Sequence, residues 1–230
     1  MLTVRGLTKQ FSHGGLTRTL FEDLSFDLPA GGRLALLGRN GQGKSTLIKI
    51  LGGVVWPTRG FASWAVDASW PLGFDGGFQG GMSGYDNIKF IARIYRRSPK
   101  EIIRKVEDFA ELGEEALAKP MKYYSSGMRT RLSFGISLAI EFDCYLIDEV
   151  ISVGDVLFRA KCDEELFGKR RDRAFIIASH DLGLLKRTCE QAVVIESGRA
   201  KFFGDIETAA AIYEGLCAEE TALKALGRAA

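Results

Sequence analysis

Short apolar runs alternate with stretches of helical periodicity along this chain. From Phe21 onward LFEDLSFDL (20–28) alternates apolar and polar positions, which predicts a half-buried strand, stopped by Pro29 and two glycines. RLALLG (33–38) is a continuous apolar run ending in glycine, the pattern of a central strand covered on both faces. KSTLIKILGG (44–53) then predicts a helix closed by glycine. Residues 61–82 mix glycine with aromatics and give no assignment. SGYDNIKFIARIYRR (83–97) predicts a helix. SPKEIIRKVEDFAEL (98–112) predicts a second, with Ser98 as cap, Pro99 at the first helical position and Glu101 three after the cap, a capping box. YSSGMRTRL (124–132) follows, its small residues heading a third helix that carries Arg129 and Arg131 and runs to about Ile140. CYLIDE (144–149) and AFIIASH (174–180) are further buried strands, one ending in two acids and the other in histidine. AVVIESGRAKFFG (192–204) predicts a hairpin turning at Ser197 and Gly198, and the Ala-rich tail from Asp205 a helix.

Strands alternating with helices on either side of an all-helical middle predict an α/β fold, a mostly parallel sheet with a helical insertion. The expected layout is one domain over 1–230. Its core is 1–82 and 141–204, the helical part 83–140 and the tail 205–230.

Composition narrows the function. Hydrophobic residues are 46% and charged residues 26%, the soluble globular range, and a net charge of +2 gives no field for nucleic acid. Cys144, Cys162, Cys189 and Cys217 are scattered without a CxxC pair, which argues against zinc and for a reducing compartment. Charges interrupt MLTVRGLTKQF too early for a signal peptide, and no run of ~20 apolar residues spans a bilayer. A cytoplasmic protein is expected, with any membrane role carried by a partner.

The chemistry begins at GRNGQGKS (38–45), which fits G-x-x-x-x-G-K-[ST] between a predicted strand and a predicted helix, the context the motif requires. Gly38, Gly41 and Gly43 let backbone N–H groups wrap phosphates, and the helix start favours negative charge. Lys44 would reach the β- and γ-phosphates, Ser45 would coordinate Mg²⁺, and Thr46 would add a phosphate contact. Asp148 stands at the end of an apolar strand, where a parallel sheet delivers its ligands, and would hold the Mg²⁺ through water. Glu149 points to the other side of the strand end and would polarise a water against the γ-phosphate. The acids come about 105 residues after Lys44, with a helical block between, and no NKxD base-reading motif is present.

With these motifs in this order the chain resembles the ATP-binding cassette (ABC) family from residue 2 to about 215. The resemblance implies a P-loop NTPase with a RecA-like parallel sheet core, an antiparallel β subdomain and a helical insertion. It identifies Ser125, Ser126 and Gly127 in YSSGM as the signature loop, usually LSGGQ. In the family two ATPase subunits meet head to tail, and each signature helix points at the γ-phosphate held by the other. Small side chains allow that approach, Ser125 can donate a hydrogen bond, and a helix start suits an anion. VISVGD (150–155) resembles the D-loop, with Ser152 and Asp155 in register. His180 matches the switch histidine that bonds the γ-phosphate and orients the attacking water. Phe11 matches the aromatic that stacks on adenine, and Asn40 falls among the nucleotide-binding positions of the phosphate loop. Gln79 is the one glutamine in GGFQGG and the candidate metal-contacting residue, at a spacing to MSGYDNI shorter than the common pattern.

Ser126 in place of Gly, Met128 in place of Gln and Val150 in place of Pro are departures. With WPLGFDGGFQGGMSGYDNIKF and DEVISVGD they are similar to the ATPases of bacterial polysaccharide exporters, most of all the capsule type. That resemblance implies ATP and Mg²⁺, a homodimer, an integral-membrane permease subunit, and periplasmic and outer-membrane export proteins as partners. It places the chain peripherally on the cytoplasmic face of the inner membrane. Exporters of O-antigen, teichoic acid, drugs, haem or lipids are the alternative, and a soluble ABC ATPase acting on DNA or ribosomes a more distant one.

Overall fold

In the computed structural model, which describes residues 1–72, 77–148 and 156–227 (backbone only at 13 and 220–227), the apolar runs become the middle of a parallel sheet. The strands are β3 (Arg33–Leu37), β5 (Ala68–Pro71), β6 (Cys144–Asp148), β7 (Ala174–Ala178), β8 (Gln191–Glu196) and β9 (Arg199–Phe203), in the order β5-β6-β7-β3-β8-β9. All pair parallel except β9, which returns antiparallel on β8 through Ser197 and Gly198, both at positive φ.

This sheet is a wall between two cores. On β3, Leu34 and Leu36 face one side and Ala35 and Leu37 the other, all buried. The period-2 alternation of a strand therefore serves two apolar faces at once, and the sequence shows an unbroken run. On the first side lie helix α1 (Lys44–Leu51) and a second, antiparallel sheet. That sheet orders β2 (Leu16–Leu28), β1 (Leu2–His13) and β4 (Arg59–Trp64). Neither β1 nor β4 has a counterpart among the predicted elements, nor does β5 in the unassigned 61–82 stretch. In β1 the apolar alternation breaks after Val4, where the register slips around Gly6 at φ +57°, and a bulge hides the strand from a period-2 reading.

On the other side lie α2 (Gly84–Ile94), α3 (Pro99–Ala110), α4 (Glu114–Ala118), α5 (Ser126–Ile140), α6 (Val156–Asp163) with a π-helical turn after it, and α7 (Leu182–Thr188). Helix α8 (Ile206–Gly227) buries Ile206 and Ala209 in the same core. Trp70 on β5, Tyr95 after α2 and Phe142 before β6 meet with ring centroids 5.2–5.6 Å apart and join the helical block to the sheet edge.

The capping box expected at Ser98 does not form. Ser98 occupies the cap position with Pro99 behind it, but its side chain makes no capping bond. Proline has no N–H to satisfy, and at this exposed helix start water can serve the remaining donors.

Candidate active site

Parallel strands bring their carboxyl ends to one edge, and most of the predicted site residues gather there. The phosphate loop follows β3, Asp148 closes β6, and His180 sits two residues beyond β7, just before Asp181 caps α7 by accepting from Leu184 N at 2.9 Å. Since β7 lies between β6 and β3, these three groups come from adjacent strands. Ser45, separated from Asp148 by 103 residues, donates its hydroxyl to Asp148 Oδ1 at 2.8 Å.

The loop's backbone takes its shape from close approach. A Cβ on Gly38 would lie 2.5 Å from the carbonyl oxygen of Ile195 on β8, so only glycine fits there. Gly43 heads α1 and is in the left-handed region. Asn40 and Gly41 form the exposed crest, and Thr46 follows Ser45 in the first turn of α1. Lys44 is buried, and its ammonium donates to the carbonyls of Gly38 and of Arg39, the latter at 3.2 Å. No acid stands in the first turn of α1. A buried cation and a helix start free of acid in its first turn therefore stand on one glycine-rich loop, the electrostatics of an oligophosphate cradle.

Three straps hold this loop from outside. Arg39 Nε donates to Glu196 Oε2 at 3.2 Å, Gln42 Oε1 accepts from Ser197 N at 3.0 Å, and Arg18 donates to the Gly41 carbonyl at 2.9 Å. Of the six residues these bonds join, only Gly41 in the loop motif and Ser197 in the hairpin turn are predicted from the sequence. Arg39 and Gln42 stand at the motif's unrestricted positions, and their partners lie 157 and 155 residues away.

Phe11 pairs across the β1–β2 hairpin with Arg18. Opposite residues of an antiparallel pair share a face, so the ring lies on the side from which Arg18 reaches Gly41. Phe11 is 48% exposed, and the Lys9 ammonium lies 4.7 Å from its centroid.

Ser125, Ser126 and Gly127, the expected signature loop, lie at the start of α5 and not on the phosphate loop. Ser125 caps α5, its Oγ accepting from Met128 N at 3.2 Å; Ser126 and Gly127 form the first turn, which carries no acid. The expected donor role uses the hydroxyl proton, which that bond does not involve. The start of the helix is exposed, whereas Leu132 to Ile140 are buried. No hydrogen bond joins Ser125, Ser126 or Gly127 to the phosphate loop of the same chain among the described residues. Gln79 is exposed; its backbone is pinned by buried Asn87 through bonds of 2.8 and 3.1 Å, and no hydrogen bond joins its side chain to Ser45 or Asp148. Glu149, Val150, Ser152 and Asp155 lie outside the described residues.

Burial pushes the Cys162 and Cys189 thiols up to about 12 and that of Cys144 further. No cluster of three or more His, Cys, Asp or Glu residues fit to hold a metal ion occurs among the described residues.

Residues 21–152 match the family model described as ABC transporter. The capsule polysaccharide export ATP-binding protein CtrD of Neisseria meningitidis serogroup B is 46% identical over 216 residues, 94% of this chain and 100% of that protein. The ATP-binding protein BexA of Haemophilus influenzae is 45% identical over 213 residues, 93% and 98% of the two chains. In fold, the chain is similar to a solved dimeric ATP-binding cassette in a post-hydrolysis state with ADP and Pi, at TM-score 0.70 and 18% identity, covering 88% of this chain and 98% of that one.

Proposed function

The chain belongs to the ABC transporter family and hydrolyses ATP; on that premise we propose that the hydrolysis drives export of a lipid-linked capsular polysaccharide across the inner membrane. The observation that carries the cargo is the end-to-end match to a relative named for capsule polysaccharide export. No helix among the described residues is long and apolar enough to cross a membrane. In this reading the chain works in pairs beneath a separate integral-membrane permease, peripheral on the cytoplasmic face. Periplasmic and outer-membrane export proteins carry the polymer onward.

ATP binds with its adenine on Phe11 and its phosphates in the 38–46 loop, where Asn40, Gly41, Gly43 and Thr46 supply contacts. Lys44 exchanges its bonds to the Gly38 and Arg39 carbonyls for phosphate oxygens. Ser45 and Asp148 are the residues that would hold Mg²⁺, and they fit it as two hard oxygen donors already brought together. When bound, Mg²⁺ neutralises charge between the β- and γ-phosphates. Gln79 would be the metal-contacting glutamine. Glu149 polarises the attacking water and His180 orients it against the γ-phosphate. Ser125, Ser126 and Gly127 of the second copy cover the γ-phosphate from the other side, so ATP closes the dimer and hydrolysis reopens it.

Two experiments test this. Glu149→Gln should trap an ATP-bound dimer; unchanged turnover refutes the base assignment. Lys44→Ala in the organism that makes the protein should leave long-chain polysaccharide inside the cell on its lipid. Unchanged surface polymer means a different cargo.

A further inference from the structure

We infer that Glu111 is a positioning residue for ATP hydrolysis: one carboxylate clamps the signature helix α5 and the post-acid helix α6 to the end of α3. The inference rests on the reading that the signature loop completes the second copy's site.

Glu111 Oε2 accepts from Arg131 of α5 at 3.3 Å, and Glu111 Oε1 accepts from Lys161 of α6 at 2.5 Å. Lys161 also donates to the carbonyls of Asp108 and Phe109, both at 3.0 Å, and so caps the end of α3. Each cation lies against an aromatic face. The Arg131 guanidinium is 4.6 Å from the Phe158 centroid and the Lys161 ammonium 5.3 Å from that of Phe109, with the two rings 5.3 Å apart. Arg131 stands five residues after Ser126 and Lys161 five after Val156, so both helices are gripped about 7.5 Å from their starts. The start of α5 is the signature. The start of α6 follows the segment that holds Glu149 and Asp155. The clamp fixes the starts of α5 and α6 relative to each other and to the end of α3.

The backbone supplies a second argument. Glu111 closes α3 at φ +54°, a conformation in which glycine is the ordinary choice and a long side chain is strained. Glu111 is also more than half exposed, so its ion pairs contribute little to global stability. A strained residue whose side chain adds little stability yet joins three helices is best explained by orientation.

Glu111→Gly separates the two roles, because it relieves the backbone while removing the clamp. In the purified full chain the melting temperature should stay within a few degrees, and the affinity for a fluorescent ATP analogue within about twofold, of wild type. Turnover should fall roughly tenfold and its cooperativity in ATP should be lost. Lys161→Ala should do the same, the double variant should be no slower than either single, and Lys161→Arg should restore turnover. Glu111→Gly with turnover within about twofold of wild type overturns the inference. So does a turnover loss that only tracks a loss of folded protein. Should Glu111→Gly not fold, Glu111→Gln is judged by the same readouts. In parallel, Glu149→Gln is sized with ATP. If it dimerises while Glu111→Gly stays fully active, only the clamp falls. If it stays monomeric, the signature reading falls and takes the clamp with it.

Discussion

Gly38→Ala tests the phosphate loop where it is packed most tightly. The added methyl would sit 2.5 Å from the Ile195 carbonyl oxygen, about 0.9 Å inside ordinary contact, and its neighbour is backbone, which cannot rotate away. Either β8 or the loop has to move. Overpacking of this kind costs ~1–3 kcal/mol. The φ of +156° at Gly38, rare for a residue with a Cβ, adds ~1 kcal/mol. Against a total stability of ~5–15 kcal/mol the variant still folds. For a domain of this size each kcal/mol lowers the melting temperature by ~2–4 °C, so a drop of roughly 5–15 °C is expected. Ile195 adjoins Glu196, the anchor of Arg39, so the shift that admits the methyl also loosens a strap and weakens ATP binding. Calorimetry without nucleotide and titration with a fluorescent ATP analogue measure the two effects. Gly41→Ala is the control: its Cβ would meet only the far end of Arg18 at 3.9 Å, so it carries the strain of φ +77° without the clash. A Gly38→Ala protein that melts within about 2 °C of wild type and keeps its ATP affinity would refute the reasoning.

Phe11→Ala should weaken ATP binding roughly two- to twelvefold, from ~0.5–1.5 kcal/mol of stacking, and leave the melting temperature unchanged; equal affinity for ATP in both proteins would remove the ring from the site. A thiol reagent at pH 8 should modify Cys217 first and the buried Cys144, Cys162 and Cys189 only after unfolding, which mass spectrometry counts. The hydrogen bond from Lys161, with the Arg131 charge beside it, holds the Glu111 carboxyl below its usual range. A depressed folded value means that its contribution is full above the unfolded pKa of ~4.3 and is lost as pH falls through the lower folded value. An NMR titration should therefore find Glu111 titrating below the same residue in the unfolded chain, and a midpoint at or above the unfolded one contradicts the ion pairs.

What the sequence reveals follows from locality. RLALL, CYLID and AFIIA are legible because burial on both faces leaves no polar position to confuse the pattern, and the 38–45 motif because its residues are contiguous. The bulge at Gly6 hides β1, and the four-residue β5, ended by Pro71, is too short to read. The straps are illegible for another reason. Arg39 and Glu196, or Arg18 and Gly41, meet only after strands distant in sequence align, and no local signal marks them. The same holds for the clamp, since Glu111 looks like any exposed acid at a helix end until Arg131 and Lys161 arrive from other helices.

The central position of β3 also sets a schedule for the ribosome. This strand pairs only with β7 and β8, yet it is made about 140 residues before them. At ~5–20 residues per second the phosphate loop leaves the tunnel roughly 7–30 s before the strands that flank it. Until then both pairing edges of β3 lack their partners, and the phosphate loop lacks the Ile195, Glu196 and Ser197 contacts that hold it. The nascent chain is a client for chaperones in that interval, and ATP can stabilise it only near the end of synthesis.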